Sequence, residues 1–401
     1  MSTRSRKTRL LELDQPERES IIVDATGELL PIDTDNEDFS RLLVDADGEN
    51  ILQPDGLVTE YEQYCRRRAS DHIESGRPDL STSWKQEADA WALVRILLSE
   101  RYGTDEDVDE SGNPVQRGPL NTLCSDFGHS YEVSKGVREH IIVKQWLESI
   151  APDFQPCRVV SELDPDAPTR QNRRMAPEDQ SYETELLRTI YEYLRRGRLS
   201  DAFHLCAACD QPWRIASLGG GAFRDDPFVD GFKDFDGEQF HGNENRMLWK
   251  AVCYQIALDE NAHPYERAIY GVLSGDVKNA LSACHSWEDH IWVRYHAMIE
   301  ALTSKALCDM PKPFAFDQEI SLPLPNVDLE PHTIFTDLSK SEDARISREA
   351  SEPFHIIQAH LILNSLDVLF ASLSAQLIEM EQNLDTPLSP VCLVYCGSAR
   401  I

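Results

Sequence analysis

Cys206-Ala207-Ala208-Cys209, with His204 two residues upstream, is the stretch of this 401-residue sequence whose residue types and spacing best suit metal or thiol chemistry. Two thiols at this spacing supply half of a tetrahedral zinc site, or the two sulfurs of a redox pair. A closed zinc site needs two more ligands, and the other close pair, Cys392 and Cys396, lies in a dissimilar C-terminal tail. A redox pair belongs where a strand runs into a helix, whereas Cys206 continues the apolar periodicity of a helix. Gly219-Gly220-Gly221 follows a helix and lacks the Gly-Lys-Ser/Thr of a phosphate loop, so it reads as a flexible helix end. Asp126-Phe127-Gly128 copies the kinase metal-binding triplet without the His-Arg-Asp loop that works with it. Neither His-Glu-x-x-His nor Gly-x-Ser-x-Gly occurs. No catalytic residue, metal ligand or cofactor is expected; a metal- or thiol-dependent enzyme around Cys206 and Cys209 stands as the remote alternative.

The elements around these residues read as helices. Trp84, Ala88, Trp91, Val94 and Leu98 recur at helical spacing and predict a helix over 83–102, with Ser83 and Gln86 as its capping box. Val137, Ile141, Trp146, Leu147 and Ile150 predict a second over 134–150. Residues 182–302 are densely helical. Leu187, Ile190, Tyr191 and Leu194 mark one helix there, and Leu248, Val252 and Ile256 another. Ile269, Val272 and Leu273 follow, then Trp287, Ile291, Tyr295, Met298 and Leu302. A last helical pair is expected over 352–382. Between them lie an acidic loop (103–118), a polar linker (162–180), an acidic, aromatic insertion (222–242) and a proline-bearing stretch (305–350). No run of segments alternates with the period of two that strands require, so the fold class is all-α.

Composition narrows the function classes. Hydrophobic residues make up 41% of the chain and charged residues 27%, enough for a sizeable core. The 39 Lys and Arg against 70 Asp and Glu give a formal net charge of −31. So negative a surface repels phosphate backbones and anionic lipid, which points away from nucleic acid and membrane and toward protein partners. No stretch reaches the roughly 18–20 apolar residues of a membrane span. Residues 1–11 are basic and polar and have no apolar leader core, and 1–56 are acidic and turn-rich, expected to be disordered. The ten scattered cysteines, several inside helical patterns, suit free thiols in a reducing compartment.

One internal similarity organises the helical region. The segments that begin at Gly197 and Gly275 align without gaps, so that Gly197 matches Gly275, Ala202 matches Ala280 and Cys206 matches Cys284. Each leads after a short turn to a tryptophan, Trp213 or Trp287. Physically this is helix, glycine stop, helix, turn, helix. The glycine supplies the positive φ, the alanine permits close helix approach, and the cysteine fills a small apolar slot. Helix pairs joined this way stack as solenoids.

Residues 194–300 resemble the scaffold nucleoporins of the 84/107 type. The resemblance is carried by Leu194-Arg195-Arg196-Gly197-Arg198-Leu199 running to Cys206, by Gln211-Pro212-Trp213-Arg214-Ile215-Ala216-Ser217-Leu218, by Gly242-Asn243-Glu244-Asn245-Arg246-Met247-Leu248-Trp249-Lys250, by Tyr265-Glu266-Arg267-Ala268-Ile269-Tyr270-Gly271-Val272-Leu273-Ser274-Gly275, and by Ser286-Trp287-Glu288-Asp289-His290-Ile291-Trp292. Glu352-Pro353-Phe354-His355-Ile356-Ile357-Gln358 is a looser match. The resemblance implies an antiparallel helical-pair solenoid folded back on itself, the ancestral coatomer element. It implies a structural place in the Y-shaped coat of the nuclear pore, at the nuclear envelope, in support of nucleocytoplasmic transport and mRNA export. It further implies a crown-to-crown contact with the 145C/96-type nucleoporin, and docking of a C-terminal helical tail to the 133-type nucleoporin. Residues 391–401 do not resemble family sequence, so a chain cut short relative to the family is expected.

The expectations are therefore a disordered extension (1–56), a solenoid of trunk and crown (57–382) with crown helices within 182–302, and a divergent tail (383–401). Partner-binding anchors are expected among the crown aromatics Trp249, Tyr270, Trp287 and Trp292, since Trp and Tyr dominate interface hot spots. A vesicle-coat or tethering solenoid is the nearer alternative.

Overall fold

The computed structural model describes residues 22–23, 29–30, 56–102, 131–159, 177–221, 243, 245–309 and 322–382. Within 1–55 these are a two-residue antiparallel pair, β1 (Ile22–Val23) and β2 (Leu29–Leu30). The disorder expected over 1–56, the insertion over 222–242 and the tail over 383–401 otherwise lie outside the described residues. Everything else with regular structure is helical: α1 (Leu57–Glu74), α2 (Pro78–Tyr102), α3 (Tyr131–Ser149), α4 (Pro177–Arg195), α5 (Leu199–Ala208), α6 (Pro212–Gly219), α7 (Arg246–Leu258), α8 (Pro264–Ser274), α9 (Val277–Ala280, continued by a 3-10 turn), α10 (Trp287–Asp309), α11 (Pro331–Ser339), α12 (Ala344–Glu349), α13 (Pro353–Ile362) and α14 (Leu366–Gln382). The all-α class and the solenoid character hold.

Five of the corners share one design. Gly76, Asp210, Asn364, Gly197 and Gly275 all have positive φ, between 51° and 81°. In each, the next backbone N–H reaches back five residues to a helix carbonyl, as from Arg198 to Tyr193 (2.9 Å) and from Asp276 to Gly271 (2.7 Å). One further residue then opens the next helix. The left-handed residue satisfies carbonyls that the ending helix leaves unpaired and reverses the chain within two residues. Gly197 and Gly275 thus occupy equivalent corners, and the paired Ala202 and Ala280 are both fully buried behind them. The copies diverge after that point. The first runs on as the ten-residue α5, while the second is one turn and a 3-10 turn. Trp213 ends exposed, whereas Trp287 is buried.

The helices pack as neighbours, α1 on α2, α4 on α5 and α8, and α7 on α8. Helix α10 runs through the middle against α3, α8 and α11, and the chain then returns so that α13 lies on α2. Arg101 closes this return. From the last turn of α2 it donates to the carbonyls of Leu361 (3.0 Å) and Ile362 (3.1 Å), at the C-terminus of α13. A guanidinium suits that position, where the helix presents its unpaired carbonyls and the negative end of its dipole. The core is continuous from Leu93 and Leu97 through Trp146, Leu187, Ile190, Ile269, Trp292 and Ile334 to Leu361.

Three local expectations change. Ser83 lies inside α2, because Pro78 starts that helix; the Ser83–Gln86 pair is not its cap. Helix α1 precedes the expected first helix. The proline-bearing stretch contains α11 and α12, with Pro331 at the first position of α11, where its missing N–H costs nothing.

Candidate docking surface

The surface is built on α7. Its first residues are held by charge. Arg246 grips the Glu300 carboxylate of α10 with two hydrogen bonds (2.8 and 2.9 Å), and Lys250 donates to the Glu300 carbonyl (2.9 Å) and to Ser304 (2.7 Å). Burial works to raise the Glu300 carboxyl, and the two cations overcome it, holding the group down at about 2. Arg246 also donates to the Gly221 carbonyl (2.9 Å), and Asn243 to that of Gly220 (2.8 Å). Gly220 and Gly221 are thereby held at the foot of α7.

Trp249 finishes the attachment. Its indole N–H donates to the Ser217 carbonyl of α6 (2.7 Å), and its ring lies close against Gly220 and Gly221. A Cβ placed on Gly220 would stand 2.3 Å from the indole, and one on Gly221 2.9 Å. The glycines are thus a bed for Trp249; the flexible helix end expected there is a close contact that only glycine permits. Ser217 also shares a hydrogen bond with the Tyr270 hydroxyl of α8 (2.7 Å), so two of the expected anchors meet at one serine.

The other two lie elsewhere, on α10. Trp287 stacks on the His355 ring (4.3 Å between centroids), and Trp292 donates to Glu148 (3.1 Å) under the Arg195 guanidinium. Tyr270, Trp287 and Trp292 are 3%, 1% and 0% exposed, so a partner laid on this surface reaches none of their rings. Trp249 is half-buried. The physical reason is size: the largest apolar side chains gain most from leaving water, and the helical core takes them.

What α7 does present is aliphatic. Leu248 is 39% exposed and Val252 44%, one turn apart on the outer face, while Met247, Ala251, Cys253 and Ala257 are buried on the inner one. Leu248 and Val252 of the stripe that marks this helix in the sequence therefore face outward, while Ile256 packs partly buried against the core. The legible signal was a helix apolar on both sides, since a single-sided helix would carry charge where Leu248 and Val252 stand. Leu258, at the end of the same helix, is 44% exposed, and Asp259 and Glu260 beside it are exposed acids. The surface is a rigid apolar strip with a negative border.

Cys206 and Cys209 are fully buried, Cys209 shares a hydrogen bond with the Tyr182 hydroxyl (3.1 Å), and burial pushes the Cys206 thiol up to about 11. A thiol held that high stays protonated and is a poor nucleophile. Among the described residues no three His, Cys, Asp or Glu side chains are placed to hold a metal ion. These cysteines pack.

The model of the nuclear pore protein 84/107 family matches residues 81–157 and 155–391. The chain belongs to this family. Among curated relatives it is 33% identical over 376 residues to the human (Homo sapiens) nuclear pore complex protein Nup107, covering 82% of this chain and 40% of that protein. It is 29% identical over 383 residues to the Mus musculus protein of the same name, with the same coverage. Nucleoporin nup107 of Schizosaccharomyces pombe is 25% identical over 413 residues, 92% of this chain and 48% of that one. The chain thus spans less than half the length of these relatives. The matched family region includes every helix from α3 to α14, with the candidate surface inside it.

Proposed function

We propose that this 84/107-family chain is a structural subunit of the nuclear pore, resident at the nuclear envelope in the Y-shaped coat, and that it supports transport through the pore by docking to other nucleoporins. The single observation that carries the mechanism is the outward apolar strip Leu248–Val252 on a helix anchored to α6, α8 and α10. Such a strip loses little conformational entropy on association, because its helix is already fixed. The occupant is the 145C/96-type nucleoporin that the family resemblance implies. Its contact surface is expected to be an apolar helix face bordered by basic residues, to complement the acids after Leu258. Trp249 stiffens the strip from behind. Contact with a 133-type nucleoporin through a C-terminal tail concerns sequence outside the described residues.

The test is co-purification of the 145C/96-type partner with Leu248→Glu/Val252→Glu. Both positions are solvent-facing, so the variant keeps its helical circular dichroism and melting temperature while binding falls at least about tenfold, the equivalent of ~1.4 kcal/mol. Undiminished co-purification would remove α7 from the interface.

A further inference from the structure

His355 occupies a site with an unusual hydrogen-bond inventory. It stands in the first turn of α13, where the chain turns back toward α2. Its Nδ1 lies 2.7 Å from the Glu349 carbonyl at the end of α12, and its Nε2 lies 3.2 Å from Glu288 Oε1 at the start of α10. A carbonyl oxygen and an ionised carboxylate can only accept. A neutral imidazole has one donor and one acceptor nitrogen, so it would leave one of these contacts as two lone pairs facing each other. Only the ring that carries both protons satisfies both.

The surroundings favour that cation. The ring is stacked on Trp287 with 14° between planes, an arrangement in which the indole face attracts positive charge. Trp287 is itself fixed, its backbone N–H donating to Glu349 Oε2 (2.8 Å). Glu352, at the cap of α13, places a second carboxylate 3.8 Å from Nδ1. From α2, Asp89 lies within electrostatic reach of Glu288, paired with Arg66 at 3.5 Å. The groups that raise the ring are Glu288, the Glu349 carbonyl and Glu352, while the cations Arg66 and Lys85 act on Asp89. Arg101, a cation on α2, is bound at the far end of α13, to the Leu361 and Ile362 carbonyls.

We propose that His355 is a proton-operated latch: doubly protonated, it ties α13 to α10 and α12, and loss of one proton releases the tie and loosens the returning helices from the stack. The directions agree with this. Burial alone would lower the imidazole, yet Glu288 and the Glu349 carbonyl raise it above its ordinary 6.5. Burial would likewise raise Glu288, and His355 instead holds it at about 2. A group raised on folding stabilises fully below its unfolded value and progressively less as pH climbs through the folded one. The latch is therefore closed below about 6.5 and opens as pH climbs through the raised folded value.

The decisive experiment combines two readings on the full 401-residue chain. Histidine Cε1–Hε1 resonances are titrated by NMR. Amide exchange of residues 353–362, corrected for intrinsic rate, is compared at about pH 6 and about pH 8.5. The expected result is that His355 titrates above about 6.5 and that protection of α13 falls at least about threefold across the interval, while α7, pinned by the low Glu300, keeps its protection. Glu288→Gln removes the charged acceptor and is expected to bring the His355 midpoint down. His355 titrating at or below about 6.5, unchanged α13 protection in the wild-type chain, or a midpoint indifferent to Glu288→Gln would each overturn the latch. The wild-type readings decide the matter even should the variant fold poorly.

Discussion

Single residues in this protein divide by which side of a helix they occupy, and the energetics follow. Trp292 is fully buried with its N–H on Glu148, so Trp292→Ala opens a cavity and removes one of two donors to that carboxylate oxygen, Lys144 being the other. A loss of about 3–5 kcal/mol is expected, seen as a large drop in denaturant midpoint. Leu248→Ala, by contrast, changes a side chain already in contact with water, and stability is expected to move by no more than about 0.5 kcal/mol. Glu300 is the counter-charge of two buried cations. Glu300→Gln leaves Arg246 and Lys250 buried without their counter-charge, and about 3–5 kcal/mol is expected to go. The sign of its pH dependence follows from a folded carboxyl held at about 2. That stabilisation is complete above the ordinary carboxylate value and is lost as pH falls from about 4.5 toward about 2. An acid titration of stability is expected to show a steep loss in that window for the wild-type chain and a shallower one for Glu300→Gln.

Whole elements are ordered by their corners. Gly76, Gly197 and Gly275 share a left-handed φ, but their surroundings differ. Nothing lies within 4 Å of a Cβ on Gly76. At Gly275 such a Cβ would sit 3.3 Å from Glu300 Cβ, and at Gly197 2.6 Å from the Glu148 carboxylate, which also holds Trp292 and Lys144. Gly76→Ala is expected to cost about 1 kcal/mol of strain alone. Gly275→Ala and Gly197→Ala are expected to cost more, in equilibrium unfolding of each variant, with Gly197→Ala also disturbing the Trp292 environment. This scale was the most legible in the sequence. Gly197 and Gly275 announced their corners, because a glycine between two apolar-periodic runs has few other uses. Asp210 and Asn364 make the same turn without glycine and were silent, since Asp and Asn serve caps and loops as well as left-handed positions. Helices α11 and α12 were hidden in a stretch whose prolines read as breakers, although a proline at the first helical position is a start. Helix α7 was legible as a helix and misleading as to its face. Leu248, Val252 and Ile256 carried the clear period, yet the buried side is made from Met247, Lys250, Ala251 and Cys253, two small or long-stemmed residues among them that a hydrophobic template scores weakly.

At the scale of the molecule, the solenoid returns on itself, and no local pattern encodes that. The contact that closes it joins Arg101 to carbonyls 260 and 261 positions away, a pairing that neither periodicity nor composition can specify. The family resemblance supplied the expectation, and the helix-end carbonyls explain why an arginine holds it. Arg101→Leu is expected to strip both carbonyls of the guanidinium, leaving Leu361 the Asn364 N–H, and to lower the exchange protection of α13 and α14 while sparing α7 and α8. The same architecture separates two tasks. The large aromatics and the buried ion pairs fix the helical stack from within, and the aliphatic strip Leu248–Val252 of α7 faces outward. Amide exchange of this chain alone and in complex with a 145C/96-type nucleoporin tests that division most directly. The account predicts strong added protection confined to α7 and its immediate flanks, with α1 and α2 unchanged. Protection appearing on other helices, with α7 exchanging as fast in the complex as in the free chain, would contradict it.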